Sequence, residues 1–320
     1  MDFTQQPASA CTGRSGRYFG KLAIWAVTLS MLIVTPLAFA TENGGSVYPV
    51  GVETVLPGLT PQTGGTMLYE FTCFYTANEM DNSLGKSAAP EFKLRVLANA
   101  LKVVHNWNVR FLGGSLNSNI AVPLLYQDLH IAPGQFGKFS IGNVVVGVFQ
   151  VGYHHGALHW YYEGDAILPG TAYSKNDVLN IGQHNFAAGP VAGFTYLPRR
   201  GAWELSSKLM YLINFNDVTT RYRSGNEFIW EYDGMRQVSR KIALGANGYW
   251  YQQTTDDLQN GLMVGDGNRG RDLAIGPEVR FHLGEHSGFA LKYLRDTMVE
   301  NKPRGNAFWF QLGIPVSLGK

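Results

Sequence analysis

The chain has 320 residues, a formal net charge of +2, 45% hydrophobic and 13% aromatic residues, and only 16% charged ones. This composition excludes a disordered chain, whose polarity would be far higher, and a basic nucleic-acid binder. The 38 glycines are many for a helical protein and suit a sheet punctuated by turns.

Residues 1–40 read as a secretory signal peptide. Arg14, Arg17 and Lys21 give a positive start, residues 22–39 are charge-free and apolar, and Ala38-Phe39-Ala40 is an A-x-A cleavage site. The apolar run is also long enough to span as a retained helix, but Pro36 and the small residues at its end favour cleavage. Cleavage removes three basic residues and Asp2, leaving 23 of each sign and no net charge. No later stretch is long and apolar enough for a membrane helix. An exported chain of this kind is either free in the periplasm or a barrel in the bacterial outer membrane. Cys11 leaves with the signal, so Cys73 stands alone. Its neighbours Thr72 and Phe74 offer no base, which makes it a core or lipid-facing residue rather than a nucleophile.

Residues 41–64 are rich in Gly and Pro and can form neither a regular helix nor a central strand. They are a flexible lead-in or a plug folded into a barrel. Residues 65–320 then carry about twelve strand-like segments: 65–77, 92–107, 110–125, 142–154, 158–168, 184–197, 202–215, 226–236, 239–253, 272–283, 288–297 and 306–318. The clearest is 272–283. Leu273, Ile275, Pro277, Val279, Phe281 and Leu283 share one parity, and Asp272, Glu278, Arg280 and His282 the other. Successive strand residues point to opposite faces, so this is one apolar and one ionic face. A half-buried strand of a soluble sheet alternates too; recurrence along the chain points instead to an antiparallel up-and-down transmembrane β-barrel with lipid outside and water inside.

The connections alternate in length. Short ones fall near Asn108, His155-Gly156, 198–201, Gln237-Val238 and 284–287, and long ones at 78–91, 126–141, 169–183, 218–225, 254–271 and 298–305. Tight periplasmic turns and longer external loops produce that rhythm. Trp107, Trp203 and Tyr153 beside short turns, and Trp250, Tyr251, Tyr75 and Trp230 nearer long loops, suit interfacial girdles.

The charged parity collects Glu70, Lys93, Arg95, Glu163, Asp165, Glu204, Lys208, Glu227, Glu231, Lys241, Glu278, Arg280 and Lys292 as lumen-facing candidates. In a narrow barrel such charges must pair across strands; in a water-filled one some are free to meet solute. Other motifs carry less. Gly265 to Gly270 matches G-x-G-x-x-G, but a strand rather than a phosphate-binding helix follows it. His154, His155 and His159 lack the Cys or carboxylate company of a zinc site, and only His155 and His159 share a parity by simple counting. Asp256, Asp257, Asp266 and Asp272 lack calcium-loop spacing. His286-Ser287, adjacent in a turn, do not supply a catalytic dyad. No catalytic residue, cofactor or metal is expected.

The stretch Gly44-Gly45-Ser46-Val47-Tyr48-Pro49-Val50-Gly51, the run from Pro57-Gly58 to Gly64, the segment from Gly248-Tyr249-Trp250-Tyr251 to Asp256-Asp257, and Gly276-Pro277-Glu278-Val279 together resemble the outer-membrane family named for the meta-pathway of phenol degradation. The resemblance runs from about residue 43 to the C-terminus. It implies an outer-membrane protein that helps hydrophobic or aromatic compounds cross, with no catalytic residues to carry over. Two departures stand out: Ile141-Gly142-Asn143 replaces an expected glycine-aspartate turn, and the chain ends Ser317-Leu318-Gly319-Lys320 instead of on an aromatic. The expected partners are outer-membrane lipids, the barrel assembly machinery and a small hydrophobic or aromatic solute. The expected function is passive uptake of that solute. The alternatives are a closed structural or binding barrel and a lipid-modifying barrel enzyme.

Overall fold

The computed structural model describes residues 45–317. The expected signal peptide and residues 41–44 and 318–320 lie outside the described residues.

Sixteen strands follow in chain order. The first eight are β1 (Thr66–Met80), β2 (Lys93–Phe111), β3 (Gly114–Ile131), β4 (Gly134–Ile141), β5 (Val144–His155), β6 (Leu158–Leu168), β7 (Ala187–Tyr196) and β8 (Trp203–Asn214). The others are β9 (Tyr222–Arg223), β10 (Glu227–Gln237), β11 (Ile242–Gln253), β12 (Leu258–Gln259), β13 (Leu262–Met263), β14 (Arg271–His282), β15 (Gly288–Glu300) and β16 (Pro303–Ser317). Twelve of them, all but β4, β9, β12 and β13, form a closed antiparallel barrel in which each strand pairs with its neighbours in the ring. Closure runs through β1 and β16, with Cys73 opposite Trp309. Every strand of that ring has a partner on both sides, which is what lets a sheet cross a bilayer.

These twelve strands are the expected segments, with ends moved by a few residues. Two connections differ. Residues 126–141 are not an open loop: β3 continues through them to Ile131 and β4 returns beside it. β4 and β5 thus form one strand along β3, interrupted at Gly142-Asn143. The expected long loop at 298–305 is a two-residue turn, Asn301-Lys302, with Asn301 in the left-handed region that Asn tolerates. That turn apart, the short connections gather at one end of the barrel and the longer ones at the other. β9, β12 and β13 make a small separate sheet in the long loops. Asp257 ties that end together, accepting from the Tyr222 hydroxyl at 2.5 Å, the Gly225 amide at 2.8 Å and the Gln253 side chain at 2.8 Å.

Alternation decides what each face meets. On β14, Ala274, Glu278 and Arg280 are buried, whereas Ile275 is half exposed. On β8, Leu205, Leu209 and Ile213 face out while Glu204, Ser206 and Lys208 are buried. The outer wall is therefore a band of exposed aliphatic and aromatic side chains, the solvent preference of acyl chains rather than water. Trp107, Trp203 and Trp230 belong to it, but Tyr251 and Tyr75 point inward and form no girdle.

Candidate functional site: the occupied lumen

Residues 45–64 run through the barrel from the long-loop end to the short-turn end. At the start, the Gln183 side chain donates to the Gly45 carbonyl at 2.9 Å, and Asn143 donates to the Val47 carbonyl at 3.1 Å. At the finish, the Thr60 hydroxyl meets His154 at 3.2 Å and the Gln62 amide meets His286 at 3.1 Å, both beside short turns. Asn106 of β2 donates to the Pro61 carbonyl at 3.1 Å. Residues 45–64, the plug segment, thus lie against the inner side of the barrel wall.

A chain without regular structure leaves its peptide groups unpaired, and burying them unpaired is costly. The wall supplies the partners. Glu231 of β10 accepts from the amides of Gly51 at 2.6 Å and Glu53 at 3.2 Å. Glu227, at the start of the same strand, accepts from the Ser46 hydroxyl and from the Val47 amide at 3.4 Å. Lys292 of β15 donates to the carbonyls of Gly51 and Val52, each at 3.0 Å, and to the Thr54 hydroxyl at 3.1 Å. In return the plug brings one carboxylate, Glu53, between the ammoniums of Lys102 and Lys208. Five inward charges, Lys102, Lys208, Glu227, Glu231 and Lys292, thus hold the plug.

Two glycines fit the plug to the wall. A Cβ at Gly51, whose φ is +87°, would lie 2.8 Å from the Leu294 Cδ1 atom. A Cβ at Gly58 would lie 2.4 Å from both the His159 carbonyl oxygen and the Thr195 amide nitrogen. Only glycine allows the plug to approach the strand backbone this closely.

The apolar residues of the plug have their own counterpart. Val47, Tyr48 and Val52 are buried against Phe71, Cys73, Tyr161, Tyr249 and Trp309 of the wall. This explains where the charge expectation differs from the fold. Glu70, Lys93 and Arg95 lie on the outer parity of β1 and β2, alongside exposed Phe74 and Leu97, and not in the lumen. With a greasy plug inside, β1 turns its aromatic side inward and its polar side outward. On the outer wall Glu70, Thr72 and Asn99 satisfy one another, with Asn99 donating to the Thr72 hydroxyl at 2.8 Å and both side chains donating to the Glu70 carboxylate. Lys241 is exposed in the turn before β11.

Glu163, Asp165, Glu204, Lys208, Glu231, Glu278, Arg280 and Lys292 are all buried on the inward face. All but Asp165 either meet the plug or fall into one of two groups. Arg280 donates to Glu204, and to Asp233 and Glu278 at 3.0 Å each. Glu163 accepts from the side chains of Asn119 and Gln150, the latter at 3.1 Å. A third group near the long-loop end lay outside the expected set: the Tyr249 hydroxyl is 2.9 Å from both Asp272 and Asp296, and the Tyr75 hydroxyl donates to Asp296 at 3.0 Å. The lower end is open. A cavity of about 1160 Å³ lies between the end of the plug and the short turns, with Leu56, Leu59, Met67, Tyr69, Trp160 and Phe289 among the side chains lining it. Two departures from sequence expectation become legible here. Asn143, where the resemblance leads one to expect an aspartate, uses its amide to donate to the Val47 carbonyl, which a carboxylate could not do. His154 and His159 are directly opposite each other across the β5–β6 hairpin and share the inward face. Among the described residues there is no group of three or more potential metal-ligating side chains.

The fold is similar to that of the COG4313 outer membrane channel from Pseudomonas putida F1, with a TM-score of 0.68 and 13% identity over 79% of this chain and 96% of that one. The β-domain of the Bordetella autotransporter BrkA is more distant, with a TM-score of 0.44 at 13% identity over 79% of this chain and 99% of that one. No curated protein matches the chain. The model of the family described as "Putative MetA-pathway of phenol degradation" matches residues 77–312. That span includes ten whole barrel strands, the end of β1 and most of β16, and the chain belongs to this family.

Proposed function

We propose that this protein is a passive channel of the bacterial outer membrane for small hydrophobic or aromatic compounds, with the segment ending at residue 64 as its resident plug. In this reading residues 1–40 direct export and are removed, and the barrel assembly machinery inserts the mature chain with its short turns toward the periplasm. One observation carries the solute class. Most lumen charges are engaged by the plug or by each other, and the cavity of about 1160 Å³ at the short-turn end offers Leu56, Leu59, Met67, Tyr69, Trp160 and Phe289 beside polar side chains that include Arg110, His282 and Glu285. An aromatic ring meets stacking partners there, and its polar substituents meet side chains that hydrogen-bond. The family's name and the fold's likeness to an outer-membrane channel support the same reading. No nucleotide, redox group or covalent step is needed. Proteoliposomes holding the purified protein are expected to equilibrate labelled phenols or aromatic acids faster than empty ones; equal rates across the panel overturn the proposal.

The fully engaged plug also favours a second reading, a closed barrel that serves as a structural or binding surface. Single-channel recording separates the two, because a permanently closed barrel gives no conductance steps.

A further inference from the structure

We propose that His154 and His159 form a two-histidine binding site for a divalent transition metal of the copper or nickel type, at the short-turn mouth of the lumen. The hairpin between β5 and β6 turns at Gly156-Ala157, which places His154 opposite His159. Both extend the inward parity that includes Gly152 and Tyr161 one step toward the mouth. Their Nδ1 atoms face each other at 2.8 Å, with ring centroids 5.0 Å apart and the planes inclined by 58°. With both rings neutral, one Nδ1 carries a proton and the other accepts it. A metal ion that enters between the two Nδ1 atoms gains two nitrogen ligands at once, and the ring that held the shared proton moves it to its own Nε2.

The spacing selects the geometry. Metal–imidazole bonds of about 2.0–2.1 Å put two adjacent ligands of a square or tetragonal ion about 2.9 Å apart, and two ligands of a tetrahedral ion about 3.3 Å apart. The observed 2.8 Å is nearer the first value. Small rotations about the Cβ–Cγ bonds bring the two lone pairs to a common point, and the strands need not move. Square and tetragonal nitrogen sites are those of Cu(II) and Ni(II), and copper heads the general affinity order for divalent ions. The outer contact is already in place. With Nδ1 on the metal, His154 Nε2 carries the proton and donates it to the Thr60 hydroxyl, now 3.2 Å away. Such a partner fixes ring orientation in metal sites. The open cavity supplies water for the remaining positions. His155 has the opposite parity on β5 and takes no part. Thr60 belongs to the plug, so an ion here sits where the plug meets the wall.

The test is titration of the detergent-solubilised full-length protein with Cu(II), followed by calorimetry and by electron paramagnetic resonance. We expect one tight site with coupling to two imidazole nitrogens, weaker binding of Zn(II), at least a ten-fold loss of affinity in His154→Ala and in His159→Ala, and no loss in His155→Ala. Unchanged affinity in the double variant His154→Ala/His159→Ala overturns the proposal, as does an equal loss in His155→Ala. Should either variant fail to show heat-modifiable folded mobility, the wild-type protein decides. Cu(II) must then protect His154 and His159, but not His155, from diethylpyrocarbonate as read by mass spectrometry, and equal modification of all three with and without Cu(II) overturns it.

Discussion

Glu53 of the plug and Lys208 of β8, 155 positions apart in sequence, form an ion pair in the middle of the lumen, and Lys102 of β2 closes on the same carboxylate from the other side. The plug is therefore fastened to two strands on different sides of the wall by a single side chain. Glu53→Gln leaves two ammoniums in a confined space with no carboxylate between them, although Lys208 keeps the Tyr48 hydroxyl at 3.2 Å. Removing one partner of a buried pair costs about 3–5 kcal/mol. Release of the plug into solvent recovers part of that cost. We expect Glu53→Gln to lower resistance to urea and to raise open-channel occupancy in planar bilayers, with Glu53→Asp intermediate.

Acid acts on the same contact. Burial pushes the Glu53 carboxyl up, but the Lys102 and Lys208 ammoniums outweigh burial and hold it down to about 2, against an ordinary value of 4.5. The folded value lies below the unfolded one, so the stabilisation is complete above about 4.5, shrinks as pH falls, and is gone below about 2. The expected conductance is flat from neutrality down to the ordinary carboxylate range and climbs on further acidification. Glu53→Gln removes this acid limb. A wild-type profile identical to that of the variant contradicts the assignment.

Gly58 tests the plug's fit at the short-turn end. Its Cβ would press on two backbone atoms, the His159 carbonyl oxygen and the Thr195 amide nitrogen, which belong to paired strands and have no room to move. Overpacking of this kind costs about 1–3 kcal/mol. In Gly58→Ala the lower plug should lift away, and the hydrogen bond from the residue-58 amide to the Thr195 hydroxyl, 3.1 Å in the native chain, should break. Hydrogen exchange at residues 56–62 is expected to accelerate. Gly164→Ala on β6, where a Cβ would meet nothing within 4 Å, is the control and should leave exchange there unchanged.

The outer cluster predicts the opposite sign. Glu70 faces the acyl chains with only Thr72 and Asn99 as partners, and those two retain their own 2.8 Å contact without it. A carboxylate on the lipid face of a barrel is unfavourable, less so than a basic residue there. Glu70→Leu should therefore stabilise the barrel by about 1 kcal/mol in urea unfolding from lipid vesicles. Glu231→Leu should destabilise it by about 2–5 kcal/mol, because the Gly51 and Glu53 amides lose their acceptor.

How far the sequence could be read follows from what each strand meets. Strands such as β8 and β14 face acyl chains on one side and polar groups on the other, and their alternation reported both the strand and its orientation. β1 also alternates, but its aromatic side meets the plug. Hydrophobicity says that Phe71 and Cys73 avoid water; it does not say whether lipid or the plug does the sheltering. Alternation alone therefore does not tell that Glu70, Lys93 and Arg95 share the parity of exposed Phe74 and Leu97. The His154–His159 pairing was readable in principle. Across a two-residue hairpin, residues equally distant from the turn share a face although the difference of their numbers is odd, and counting parity straight through Gly156-Ala157 hides this. The plug's partners were not readable, because an irregular segment has no period and its contacts depend on the three-dimensional closure of strands far apart in sequence.

The direction of the plug constrains assembly. Gly45 reaches the long-loop mouth while Thr66, the first residue of β1, begins at the other. The segment is thus a thread through a hoop whose clasp is the β1–β16 seam, at the very strand the thread runs into. Either the clasp fastens around a thread already laid, or the leading end is drawn through afterwards. A bulky domain fused ahead of residue 45 tolerates the first order of events and blocks the second.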